Sequence, residues 1–152
     1  MPRRLISPLS IYWSSSYILT LSGRFPQMPK NSDFNSTFTQ LKEIFAPYED
    51  KLIVVADTRD NYSLDVNYVM KNKRRLYFGG VRRGKAYVSF HLMPVYAFPA
   101  ITEKISPELK KRMQGKSCFN FTAPDEKLFN ELRKLTKAGF TRFTSKKFYS
   151  QF

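Results

Sequence analysis

Cys118 and His91 are the single cysteine and the single histidine of the 152-residue chain. They are therefore its candidates for cysteine–histidine nucleophilic chemistry, in which the imidazole takes the thiol proton and leaves a reactive thiolate. Cys118 follows Ser117 and precedes Phe119 in a short apolar stretch. Because a lone cysteine in such a stretch is usually a small core residue, no catalytic residue is assigned. An enzyme that uses Cys118 or His91 is kept as an alternative.

The same composition limits metal and redox chemistry. A structural zinc site takes four ligands, mostly cysteine and histidine, so one of each cannot build such a site within a single chain. Asp57, Asp60 and Asp65 are close in sequence, but their spacing does not match a calcium loop. No metal and no cofactor is predicted. A single cysteine also excludes an internal disulfide, which suits a reducing, cytoplasmic location.

Gly115-Lys116-Ser117 has the ending of a phosphate-binding P-loop. The full pattern requires glycine where this chain has Lys110, and a strand before the loop. A helix is predicted there instead, so the tripeptide is interpreted as a helix-ending glycine followed by a strand. Lys116 and the backbone amides near it keep the capacity to bind an anion.

The stretch from Arg83 to Phe90, RGKAYVSF, is close to the core pattern of RNA-recognition motifs. It departs from that pattern at Lys85, where the motif has an aromatic residue that stacks on bases. The order of elements also differs, because residues 62–69 alternate as a strand where the motif has no such strand. The stretch is therefore interpreted as a core strand next to a glycine turn.

Positive charge is the strongest compositional signal, with 26 basic and 12 acidic residues and a formal net charge of +14. Such a charge favours nucleic acid, phosphate or an acidic surface as the partner. Seven basic residues and no acid fall within fifteen positions, namely Lys71, Lys73, Arg74, Arg75, Arg82, Arg83 and Lys85. They form one patch with Lys110, Lys111, Arg112 and Lys116 if the hairpin and the short helix are neighbours. The alternative is a solvated basic face.

Aromatic residues beside this charge predict a groove, edged by Tyr77, Tyr87 and His91, that holds a single strand by charge and stacking. The predicted contacts with nucleic acid or another polyanion are Arg82, Arg83, Lys85, Tyr87, His91 and Lys116.

Hydrophobic periodicity predicts the first elements that position these residues. A helix begins at Ser32 or Asp33, turns Phe34, Phe38, Leu41 and Phe45 to one face, and ends at Pro47. Strands follow at 52–56 and 62–68, and then a hairpin of strands 76–82 and 85–93 turns at Arg83-Gly84, where Gly84 supplies a positive φ. Ala86, Val88, Phe90 and Leu92 are predicted to face the core. Gly79-Gly80 predicts a bulge or a close backbone approach.

The second half of the chain predicts two more helices and a strand. Ser106 caps a short helix that Gly115 ends. Residues 117–121 form a strand, and the last helix starts at 122–125 and ends at Gly139. The total is three helices and about five strands, which is typical of an α+β domain with a mainly antiparallel sheet and helices packed against it.

Domain boundaries are predicted from composition. Residues 1–31 form a disordered or non-native leader, with an organelle transit peptide or a natural start at Met28 as alternatives. Their apolar positions are too interrupted for a transmembrane helix. Residues 32–140 form the domain, and residues 141–152 form a basic C-terminal tail. Oligomeric state is not predicted.

Three segments of the chain, RLYFGGVRRGKAYVSFHLMPVY, ELKKRMQGKSCFNF and DEKLFNELRKLTKAGF, together resemble the YdhG-like domains of unknown function. The likeness covers about residues 36–140 and depends on element order and on Gly115-Lys116-Ser117. It implies a small intracellular α+β domain with an antiparallel sheet. Some family members are frataxin-like iron chaperones, which use acidic surface groups, whereas the first helix here carries Asp33 and Glu43 alone. Iron or small-molecule binding is therefore an alternative function, and no metal ligands are transferred.

Overall fold

A computed structural model describes residues 30–152, with side chains from Asp33 onward. The predicted leader thus lies outside the described residues, except that Lys30 and Asn31 belong to the first helix. In chain order the elements are α1 (Lys30–Glu43), a 3-10 turn (Ala46–Tyr48), β1 (Leu52–Asp57), β2 (Asn61–Val69), β3 (Arg75–Arg83), β4 (Val88–Leu92), α2 (Met93–Ala97), α3 (Pro99–Thr102), α4 (Pro107–Lys110), β5 (Met113–Gln114), β6 (Cys118–Phe121), α5 (Glu126–Phe143) and α6 (Lys146–Tyr149). The α+β class is confirmed.

The strands form one open six-stranded sheet in the order β1-β2-β3-β4-β6-β5, and each neighbouring pair is antiparallel. Helices α1 and α5 pack against the same face of this sheet. Phe45, just after α1, stacks on Phe90 of β4 with ring centroids 4.8 Å apart. Phe129 of α5 meets the edge of Phe121 in β6 at 5.1 Å. The opposite face, which carries the alternate residues of each strand, is called the polar face below.

Gly79 and Gly80 confirm the predicted bulge and close approach. The register between β2 and β3 skips Phe78, which leaves one extra residue in β3. A Cβ added at Gly79 would lie 2.6 Å from the carbonyl oxygen of His91 and 3.0 Å from the Phe45 ring. A Cβ added at Gly80 would collide with the backbone carbonyl of Tyr62. A side chain at either position would push neighbouring strands apart.

The predicted hairpin is present, but its turn is longer than expected. Residues 84–87 lie outside both strands, and the N–H of Gly84 donates to the carbonyl of Tyr87 at 2.8 Å. Gly84 does not adopt the positive φ that was predicted, and Ala86 is exposed rather than part of the core. Strand β4 therefore starts at Val88 and ends at Leu92. Met93, the last residue of the predicted strand, is instead the first residue of α2.

Two glycines were given the wrong role. Ser106 does cap α4 by accepting from the N–H of Leu109 at 3.1 Å, but Lys110 ends that helix and β5 follows. Gly115, with φ +73°, therefore turns the chain between β5 and β6 instead of ending a helix. Gly139 lies inside α5 without a positive φ, and a Cβ there would lie 2.5 Å from the Cβ of Pro94. That glycine lets α2 approach α5 closely.

The folded chain continues past residue 140, where the sequence predicts the end of the domain. Helix α5 continues to Phe143, whose side chain is 2% exposed. Phe148 of α6 packs on Phe143 at 4.8 Å between ring centroids, and Tyr149 stacks on Tyr68 of β2 at 4.7 Å. Residues 141–152 are therefore part of the folded domain.

Candidate functional site

Strand register brings one row of residues together across the polar face. Ser63 of β2 lies beside Gly80 of β3, Gly80 beside His91 of β4, and His91 beside Cys118 of β6. The row ends at Gln114 of β5, which pairs with Cys118. The two candidates for cysteine–histidine chemistry are therefore direct cross-strand neighbours, although 26 residues separate them in the chain.

A second row runs parallel to the first, one step closer to the β3–β4 turn. Asn61 lies beside Arg82, Arg82 beside Ser89, and Ser89 beside Asn120. The Ser89 hydroxyl donates to Oδ1 of Asn120 at 2.8 Å. All four side chains in this row are polar, and that of Arg82 is positively charged. This edge of the polar face is therefore suited to bind hydrogen-bond acceptors and anions.

A shallow pocket of about 260 Å³ opens between the rows, and Asn61, Ser63, Tyr77, Gly80, Arg82 and His91 contribute to its lining. Because Gly80 has no side chain, the pocket reaches the backbone there, and the Tyr77 hydroxyl lies over that position. No carboxylate lines the pocket, although Asp65 pairs with Tyr77 in the register next to it. Burial, with a smaller contribution from Asp65, raises the pKa of the Tyr77 phenol and keeps it a hydrogen-bond donor.

The thiol and the imidazole lie within contact, with Cys118 Sγ 3.6 Å from Nε2 of His91 and 3.5 Å from Oδ1 of Asn120. Burial, assisted by the nearby Arg82 guanidinium, lowers the pKa of His91. Burial raises the pKa of the Cys118 thiol. Both groups are therefore neutral at pH 7. A cysteine nucleophile needs a lowered thiol pKa, so this geometry supplies a polar contact rather than an activated thiolate.

Cys118 is accordingly expected to react slowly with iodoacetamide at pH 7, more slowly than the same residue in the unfolded chain. The physical reason is the raised thiol pKa, which leaves little thiolate for the reaction. Mass spectrometry of timed samples, folded and in urea, measures the two rates. Faster labelling of the folded protein, slowed by His91→Asn, would instead identify an activated cysteine.

Two amide side chains that the sequence did not single out extend the polar row. Asn120 Nδ2 donates to Oε1 of Gln114 at 2.7 Å, and the Tyr87 hydroxyl donates to the same oxygen at 3.3 Å. Tyr87 therefore reaches from the β3–β4 turn toward β5, while 37% of its surface stays exposed. The alternation Cys118-Phe119-Asn120-Phe121 was the available signal for Asn120. No sequence pattern indicated Gln114, because β5 has two residues and an alternation cannot be recognised over so short a strand.

The six predicted contact residues do not form one group. Arg82 is exposed on the polar face with His91, and Lys85 is exposed in the turn at its edge, near Tyr87. Arg83 points the other way: its guanidinium donates to Oδ1 of Asn35 in α1, Nε lies 3.7 Å from Asp60, and 13% of the side chain is exposed. Lys116 lies over the ring of Tyr96 at 5.4 Å, in a separate groove beside α2.

The basic cluster of residues 71–85 is likewise divided. Lys71, Lys73 and Arg74 lie in the turn between β2 and β3, whereas Arg82 and Lys85 lie at the far end of β3. Strand β3 has nine residues, so the two ends are about 26 Å apart. A single patch over the hairpin is therefore not present, and Arg82 with Lys85 is the part next to the pocket.

Two other kinds of functional feature are missing from the part of the chain from residue 30 onward. No three histidine, cysteine, aspartate or glutamate side chains there are grouped as metal ligands would be. None of the helices described combines the length and apolar character needed to cross a bilayer. In comparisons with known proteins, no family model, no curated protein and no solved structure matches the chain.

Proposed function

We propose that this protein is a non-enzymatic binding module that holds single-stranded nucleic acid on the polar face of its sheet, next to the basic β3–β4 hairpin. The observation that carries the proposal is the pocket in which Arg82, His91 and Tyr77 converge without a carboxylate in the lining. A guanidinium is a strong partner for phosphate. Aromatic and imidazole rings stack on bases of any sequence.

The charges around this face support an anionic partner. The ion pairs among the described residues are Lys42–Asp57, Arg83–Asp60 and Arg133–Glu126. Neither Arg82 nor Lys85 takes part in them, and both are exposed. Their charge is therefore available to phosphate groups, whose neutralisation releases counterions and stabilises the complex.

A binding role suits the thiol–imidazole pair better than cysteine catalysis does, because both groups are neutral. Membership of the YdhG-like domains is part of the proposal, supported by the order of one helix, antiparallel strands, short helices and a long last helix. A cytoplasmic location is also part of it, supported by the single cysteine.

Fluorescence anisotropy with a labelled oligo(dT) of about 20 nucleotides at low salt tests the proposal. The wild type is expected to bind, with affinity falling by about 0.7 logarithmic units per decade of salt for each phosphate contacted. Arg82→Glu with Lys85→Glu is expected to weaken binding at least about tenfold. Tyr87→Ala is expected to cost about 1–3 kcal/mol if its ring stacks on a base.

The matched control is Lys134→Glu with Arg142→Glu on α5, which makes the same change in net charge away from the polar face. It is expected to leave oligonucleotide affinity within about twofold, apart from the general charge effect. An equal loss of oligonucleotide affinity in the two double variants would contradict recognition at this face. So would equal affinity for heparin and oligo(dT) together with no effect of Tyr87→Ala.

A further inference from the structure

A second concave surface, the α5 groove, lies on the solvent-facing side of α5, away from the polar face of the sheet. Its deeper part, between α3 and α5, is a cleft of about 290 Å³. The buried side chains of Ile101 and Leu135 and the exposed methyl group of Ala138 form an aliphatic floor. Lys104, Lys134 and Arg142 stand at its rim, all of them exposed.

The groove continues along the outer side of α5. A shallower cavity of about 450 Å³ shares Lys134, Ala138 and Arg142 with the cleft and extends to Lys137 and Thr141. From residue 131 to residue 142 the helix rises about 16 Å. The groove therefore has the length of a short peptide segment.

The lining of the α5 groove holds four cations and one carboxylate, so its net charge is positive. None of the described ion pairs includes its four cations, Lys104, Lys134, Lys137 and Arg142. The carboxylate in the lining, Glu131, accepts hydrogen bonds from the N–H and the hydroxyl of Ser106, each at 2.7 Å. Glu131 is thus held at the start of α4 rather than paired with the lysines and the arginine.

We infer that the α5 groove docks an acidic peptide segment of a partner protein, with an aliphatic side chain of that segment on the floor and its carboxylates at the rim. The apolar floor matches the aliphatic side chain of such a segment, and the cationic rim matches its carboxylates. Charge complementarity of this kind raises both the rate and the specificity of association.

Two other anionic partners fit the α5 groove less well. No aromatic ring lines either cavity, so a nucleic-acid strand would find phosphate contacts but no stacking platform. A membrane surface would need its apolar contacts to protrude into the lipid, whereas the aliphatic atoms here lie at the bottom of a cleft below the cations.

The test uses the full chain and a fluorescein-labelled peptide of about twelve residues, built from Glu, Leu and Ala with Leu three and four positions apart. Anisotropy is expected to show saturable binding at low salt. Lys134→Glu with Arg142→Glu is expected to weaken it about tenfold or more. Arg82→Glu with Lys85→Glu, which makes the same charge change on the polar face, is expected to leave peptide affinity within about twofold.

Two altered peptides separate the features of the groove. Replacing every Glu by Gln, or every Leu by Ser, is expected to abolish binding in each case. The inference is overturned if the acidic peptide does not bind, or if either altered peptide binds equally well. It is also overturned if oligo(dT) or vesicles of anionic lipid displace the acidic peptide from the wild type but not from the Arg82, Lys85 variant, because the peptide would then occupy the polar face. The proposed function concerns the polar face, so its failure can be told apart from failure of this inference. If the proposed function fails, the Arg82, Lys85 double variant binds oligo(dT) no more weakly than the wild type does. If this inference fails, the Lys134, Arg142 double variant binds the acidic peptide no more weakly than the wild type does.

Discussion

A chain truncated after Phe140 is expected to lose at least about 3–5 kcal/mol of its free energy of unfolding, the cost typical of deleting one buried phenylalanine. Phe143 is 2% exposed, and its ring lies 5.8 Å from that of Phe78 in β3 and 6.4 Å from that of Phe98. Truncation also removes Phe148, which packs on both Phe98 and Phe143 at 4.8 Å. Urea denaturation followed by circular dichroism measures the loss.

A matched control keeps the segment and changes its surface. Lys146→Ala with Lys147→Ala alters two exposed residues of α6 and is expected to stay within about 0.5 kcal/mol of the wild type for each substitution. The single substitution Phe143→Ala should reproduce most of the effect of truncation. If the truncated chain unfolded at the same urea concentration as the full chain, residues 141–152 would be a dispensable tail after all.

Replacing Phe45 by alanine is expected to lower the free energy of unfolding by about 3–5 kcal/mol as well. The residue is fully buried and joins α1 to the sheet. Its ring stacks on Phe90 at 4.8 Å and lies 6.1 Å from Tyr62 and 6.2 Å from Phe78. The cavity left by its removal would lie directly under Gly79 and the β3–β4 pair, so the polar face would lose its support.

Tyr96→Ala is the control for Phe45→Ala, because it also removes an aromatic ring but from a residue that is 56% exposed. It is expected to change the free energy of unfolding by about 0.5 kcal/mol or less. Thermal and urea unfolding of both variants give the comparison. A loss below about 1 kcal/mol for Phe45→Ala would show that the surrounding rings repack without cost, contrary to the usual behaviour of dense cores.

Residues whose role depends on local periodicity were predicted well. The spacing of Phe34, Phe38 and Leu41 correctly placed all three on the buried face of α1. The alternation of residues 62–69 likewise predicted a strand, and Leu64 and Val66 lie on its buried face. In both cases the repeat of the helix or the strand decides which side chains share a face, and that repeat can be read along a short stretch of chain.

Residues whose role depends on a distant partner were predicted poorly. Gly139 follows a helical pattern and looks like an ordinary helix end, but Pro94 of α2 packs on it. Arg83 belongs to a basic run, yet Asn35 and Asp60 hold it away from the polar face. No property of the neighbouring sequence distinguishes these residues from Arg82 or Gly115.

The sequence by itself determined the α+β class, the buried faces of the long elements, and a surplus of positive charge that favours an anionic partner. The tertiary structure alone decided how that charge is divided, since strand length separates the two ends of β3 by about 26 Å and α5 carries a third basic surface of its own. It also decided that Cys118 and His91 meet at 3.6 Å. Antiparallel register brings such residues together, and register depends on the bulge at Gly79-Gly80 and on packing against α1 and α5, which are contacts between segments far apart in the chain.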